Sequence, residues 1–166
     1  MVFEIDVSGS DIFEKDYAIL VAETGNRKIM LGHRFPAGTI EVIRARHGQS
    51  EYRYKKSKEG KSNLKVRLYC VAIYFLFKEL KRKYKIKEAN LNICRDFSGK
   101  EENIRQNIGF LLGKKLGLMT NIAFCRLPAN SVAHRYAYLL RKDNLNKFSK
   151  YNLQIGLGEF EEFLKK

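Results

Sequence analysis

The segment from Leu64 to Leu80 limits the fold most tightly. Read as a helix, it carries Leu64, Leu68, Cys70, Val71, Ile73, Phe75, Leu76 and Leu80 over most of its circumference. A helix that is apolar nearly all round has to be buried between other elements, not laid on a surface. Its most apolar run, LYCVAIYFLF (68–77), is too short to cross a bilayer and is flanked by lysines, so no membrane association is expected. Ser62 or Asn63 is the expected cap, and the helix should run to about Lys83.

Something must sandwich that helix, and the rest of the chain supplies strands. Val2, Phe3, Ile5 and Val7 suit a buried strand that Gly9, between two serines, brings to a tight turn. Residues 16–23 and 27–35 form a hairpin about Thr24-Gly25-Asn26, completing a three-stranded antiparallel meander. Residues 39–45 fit either a short strand or a lead into a helix. Residues 46–63 are polar, basic and glycine-punctuated, and are expected to be a mobile loop.

After the long helix, ANLNIC (89–94) is a strand ending in Arg95-Asp96, and Ser98-Gly99-Lys100-Glu101 matches a capping box. The helix it opens aligns Ile104, Ile108, Leu111 and Leu112 and stops at Gly117. Residues 121–127 are a fifth strand, Pro128 to Ser131 start a helix to about Lys142, and residues 157–164 form a last short helix. The expected class is therefore α/β. One mixed five-stranded sheet, three antiparallel strands followed by helix-connected ones, carries helices on both faces within a single domain, 1–166.

Composition narrows the function. A formal charge of +14 attracts polyanions, of which nucleic acid is the commonest in a cytosol; solvated lysines of a thermophile surface are the competing reading. Cys70, Cys94 and Cys125 lie far apart in apolar runs with no Cys-x-x-Cys pair, which favours reduced thiols over a disulfide framework. With no signal peptide evident, a cytoplasmic protein is expected.

Two strand ends carry acids, Asp6 and Asp96. Alone, Asp6 reads equally well as a turn-starting residue. In this order of elements, however, the two strands lie side by side with both carboxylates at one edge. Two adjacent carboxylates repel unless a cation is shared, and Mg²⁺ or Mn²⁺ suits hard oxygen ligands. Such an ion activates water and steadies charge on a phosphodiester.

Here the chain resembles the ribonuclease-H-like superfamily over residues 2 to about 143. The resemblance rests on FEIDVSGSD, the meander, NICRDFSG and CRLPANSVAHRYAYLLRKD. It is closest to type 2 ribonuclease H, and the Arg-Asp strand end is similar to that of Argonaute nuclease domains. The resemblance implies a ribonuclease-H-like fold and metal-dependent nuclease activity, with Asp6 and Asp96 as metal ligands and catalytic residues. Asn130 falls near the acid expected after the fifth strand, as a neutral ligand. Val7 stands where type 2 enzymes have Glu, and Leu64 to Leu68 lack the Glu of type 1 enzymes.

Asp11 in the first turn is a substitute metal ligand, and Glu101 or Glu102 are others, although Glu101 also fits the capping box. His134, four residues after Asn130 and on the same helical face, is a candidate base or ligand, with an interhelical hydrogen bond as its alternative. Asp143 falls on the opposite side and reads as structural.

The basic stretch supplies the expected nucleic-acid contacts. Arg46, Arg53, Lys55, Lys56, Lys58, Lys61 and Arg67 would track phosphates, with Tyr52 and Tyr54 stacking on unpaired bases. The partner is RNA, DNA or a hybrid. Two rivals stand beside the nuclease: a catalytically inactive binding module on the same fold, and an actin-like phosphate-binding fold suggested by DVSGS, for which one short chain is too small.

Overall fold

A computed structural model describes residues 1–165. Its strands are β1 (Val2–Ser8), β2 (Ala18–Glu23), β3 (Met30–Arg34), β4 (Glu88–Cys94) and β5 (Met119–Cys125). They form one open mixed sheet in the order β3-β2-β1-β4-β5. β1 runs antiparallel to β2, and β2 to β3, whereas β1 and β4, and β4 and β5, are parallel. This is the expected α/β arrangement of a meander followed by helix-connected strands.

The helices are α1 (Ala37–Gly48), α2 (Lys58–Tyr84), α3 (Glu101–Ile108), α4 (Val132–Arg141) and α5 (Leu157–Glu161). The period of two along β1 assigns its residues to two different surroundings. Phe3 and Ile5 join Ile19, Val21, Leu91 and Ile93 in the main core, which α2 and α3 close with Leu64, Leu68, Leu76, Ile104 and Ile108. Glu4, Asp6 and Ser8 point the other way, toward α4. There Ala18, Leu20 and Ala22 of β2 pack on Ala133, Ala137 and Leu140 in a smaller cluster. The all-round apolar character of α2 is thus used: from Leu64 to Leu80 almost every residue is buried.

Residues 39–45 take the helical one of their two expected forms and belong to α1, because Ile40, Ile43 and His47 are turned inward at helical spacing. The stretch 46–63 is consequently no long loop. α2 starts at Lys58, where the Ser57 hydroxyl accepts a hydrogen bond from the Gly60 N–H at 3.1 Å, so neither Ser62 nor Asn63 is its cap. Only residues 49–57 connect the helices, and these are fastened. The Tyr52 hydroxyl and Arg46 both donate to Glu161, at 2.7 and 2.5 Å, and the Arg53 N–H donates to the Leu164 carbonyl at 3.3 Å.

The capping box at Ser98 is also not formed. α3 begins at Glu101 after Gly99, whose φ of 74° places it in the left-handed region, and Lys100 provides no side-chain cap. From Gly109 to Lys115 the helix widens into π-helical turns, and left-handed Gly117 ends it as expected. Among the described residues no helix is long and apolar enough to cross a membrane.

Candidate functional site

α4 is held against β1 by a row of polar contacts. Ser131 caps α4 by accepting the His134 N–H at 3.3 Å, and its hydroxyl donates to Glu4 Oε2 at 2.6 Å. His134 Nδ1 lies 2.7 Å from Asp6 Oδ2, and Arg141 Nε donates to the Ser8 hydroxyl at 2.8 Å. The three polar residues of β1 that face this side, at spacing two, therefore each meet one residue of α4 or its cap. The Val7 N–H supplies a second bond to Asp6, at 2.9 Å on Oδ1. Asp6 is 2% exposed, so these donors are what make a buried carboxylate tolerable.

Register explains what Asp6 meets next. Ile5 is paired with Ile93 across the parallel β1–β4 ladder, so one residue further on Asp6 comes level with Cys94. The chain then turns tightly, with the Asp96 N–H donating to the Cys94 carbonyl at 3.0 Å. Ligand atoms of Asp6, Cys94 and Asp96 all lie within 4.8 Å of one another. Desolvation and the negative charge of Asp6 push the Asp96 pKa up to about 7, against the opposing influence of His134. Asp96 keeps an exposed side, and solvent there screens part of this effect.

Desolvation, followed by the charge of Asp96, pushes the Cys94 thiol up to about 11, so it stays protonated at neutral pH. Two buried tyrosines complete the surroundings. Tyr17 and Tyr69 are both held well above the ordinary phenol value by desolvation first and by the charge of Asp96 next. The Tyr69 hydroxyl is buried without a hydrogen-bond partner.

The carboxylate pair suits a single hard cation. Two carboxylates this close together, with the Asp96 side open to solvent, could share one hard ion such as Mg²⁺ or Mn²⁺, to which a protonated thiol would add little. Beside the pair, Val7, Ser8, Ala129, His134, Arg135 and Tyr138 line a cleft of about 390 Å³. The His134 side chain is 57% exposed.

The other candidates are placed differently. Asp11 pairs with Lys65 and accepts the Phe13 N–H at 2.8 Å. Although burial opposes ionisation, those bonds and the charges of Lys65 and Lys61 hold its pKa below the ordinary value. With its carboxylate engaged there, Asp11 is not in the acid cluster, which corrects the expectation that it is a ligand. Glu102 pairs with Arg105 at 3.7 Å on the surface of α3, and neither it nor Glu101 joins the cluster. Asn130 is exposed in the turn before α4, where Ser131 is the cap. Asp143 accepts the N–H groups of Lys147 and Phe148, each at 2.8 Å, a structural role.

The basic stretch divides in the same way. Lys55, Lys56 and Lys58 are exposed. Tyr52, only 2% exposed with its hydroxyl on Glu161, has no free face for a base, so the stacking expected of it is corrected. Arg67 is likewise buried, donating to Asn107 Oδ1 at 2.6 Å, and Arg46 is engaged by Glu161. Arg53 donates to the Phe163 carbonyl and lies over the half-buried Tyr54 ring. Sequence reasoning missed Cys94, which looks like one more apolar residue in ANLNIC; only its register with Asp6 marks it out. Compared with models of known protein families, with curated proteins and with solved structures, the chain matches none.

Proposed function

We propose that this chain is a ribonuclease-H-like domain that binds nucleic acid and hydrolyses phosphodiester bonds with a divalent cation, Mg²⁺ or Mn²⁺, held between Asp6 and Asp96. The observation that carries the reading is the convergence of these two carboxylates, with Cys94, within 4.8 Å from neighbouring parallel strands. The sheet order β3-β2-β1-β4-β5 and the net charge of +14 support it. A bound cation would supply a water of lowered pKa and offset the charge that builds on the phosphoryl oxygens.

The protein's own residues do the remainder. Asp6 and Asp96 would hold the ion, and the nearby buried Tyr17 and Tyr69 keep the surroundings of low polarity, so charges there act strongly. His134 is oriented by Asp6 through Nδ1 and faces the cleft, where its other nitrogen can accept a proton. Arg135, in the same lining, attracts the phosphate. A catalytically inert binding module is the second reading, favoured by one observation: among the described residues only two carboxylates meet in the cluster, and one of them already serves His134.

Cleavage of single-stranded, duplex and hybrid substrates by wild type and by Asp96→Asn, in Mg²⁺ and in Mn²⁺, separates the two. The substitution keeps the side-chain shape and removes one ligand charge, so a nuclease should lose at least about a hundredfold in rate, ~2.7 kcal/mol. Equal residual cleavage by both proteins would sink the catalytic reading. Binding without cleavage under every condition would establish the inert module.

A further inference from the structure

We infer that a second, basic pocket between the end of α1 and the start of α2 binds a phosphate group of the nucleic acid, an anchoring contact apart from the carboxylate pair. It rests on the nucleic-acid part of the function proposed above. The cavity measures about 460 Å³, and its lining includes Arg44, Lys56 and Lys61 against a single carboxylate, Glu41. No carboxylate within ion-pairing distance neutralises any of the three cations among the described residues, unlike Lys65 with Asp11 or Arg46 with Glu161. Lys61 instead lies over the Phe13 ring, 5.8 Å from its centroid, and Arg44 reaches the Phe13 carbonyl at 3.4 Å.

The walls are built rather than loose. His47, itself 7% exposed, holds the Lys55 carbonyl through Nε2 at 3.0 Å and so fixes the segment that carries Lys56 to α1. On the other side Gly60 lets α2 approach that segment; a Cβ there would lie 2.1 Å from the Lys55 oxygen. Residues 49–57 are also tied to Glu161 of α5 through Tyr52 and to Leu164 just beyond it through Arg53. Lys56 and Lys61 flank the N-terminus of a 27-residue helix, the end that favours an anion. The backbone that carries Lys56 is therefore fixed beside α1 and α2 before any ligand arrives, which lowers the ordering cost of binding.

The chemistry selects phosphate, either a terminal monoester or an internal diester of a strand. The test is fluorescence anisotropy in EDTA with short, internally labelled oligonucleotides carrying a 5′-phosphate, a 3′-phosphate or no terminal phosphate. Wild type is compared with Arg44→Ala/Lys61→Ala and with Lys83→Ala/Lys87→Ala, which removes the same charge from an exposed region elsewhere. The pocket variant should lose roughly tenfold or more in affinity, and its slope of log affinity against log salt should fall by about one, while the control changes far less. A preference for one phosphorylated end, present only in wild type, assigns a monoester; a loss common to all three probes assigns a diester. Lys61→Arg, which keeps the charge, should retain binding. Equal losses in the two double variants, or no loss in either, would overturn the pocket. Because EDTA removes the metal centre from the measurement, failure of cleavage and failure of this pocket are read independently.

Discussion

The two faces of the central strand β1 are made from alternate residues and do opposite things. Phe3 and Ile5 are fully buried on the face covered by α2 and α3, where Phe3 meets Phe77 edge-on with centroids 5.2 Å apart. Glu4, Asp6 and Ser8, one residue out of step, meet α4 through Ser131, His134 and Arg141. On the first face the side chains contribute by leaving water. On the second, each polar group has to find a partner, and the geometry that results brings a carboxylate, a histidine and a cleft together. The packed core and the candidate site are thus separated by a single step along one strand.

The comparison can be broken in three ways. The largest effect belongs to the apolar face: Phe3→Ala should cost about 3–5 kcal/mol in urea unfolding, through lost transfer energy and the cavity left against Phe77. A much smaller loss would mean that the core face is loosely packed.

The second effect tests the polar face through pH. The folded pKa of Asp96, about 7, exceeds its ordinary 3.8, so folding takes up a proton between those values. The stability contribution is fully present below about pH 4 and is lost as pH rises to about 7. In the metal-free protein, Asp96→Asn should therefore be the more stable form at pH 8 by roughly 1–2 kcal/mol, an amount already reduced for the solvent access of Asp96, and the two proteins should converge at pH 4. Thermal melts across pH check this, and parallel curves would show that the acid cluster is not strained.

The smallest effect concerns the fastening of α4. Ser131→Ala removes both its N-cap and the bond to Glu4, and should lower stability by about 1 kcal/mol or less in the same melts. A substantially larger loss would indicate that the polar row, not the Ala133–Ala137–Leu140 seam, holds α4 on the sheet.

How much of this was legible in the sequence follows from the same division. Where burial imposes a pattern, as in β1, β4 and the Leu64–Leu80 part of α2, the elements were readable. α1 was not, because only Ile40, Ile43 and His47 turn inward and the remaining residues carry no period. The first turns of α2, KEGKSN, hold no apolar side chain, and their helical state depends on the Ser57 cap and the close approach at Gly60. In the site, Asp6 and Asp96 could be read as neighbours because strand order alone brings them together. That Lys65 engages Asp11, that Tyr52 is anchored by Glu161, and that Cys94 comes level with Asp6 are tertiary facts with no local signature.

The fastening of residues 46–53 by the C-terminal segment has a kinetic meaning. Its bonds join residues 109 to 115 positions apart, from Tyr52 and Arg46 to Glu161. Closing so long a loop adds little to the entropy cost beyond what a loop half as long would require, so the length of the latch weighs lightly on stability. It weighs more on the order of events, since contacts of such separation slow folding. The basic rim is thereby completed only when the C-terminal segment docks, with Tyr52, Phe160 and Leu164 entering the same core as the sheet and the long helix.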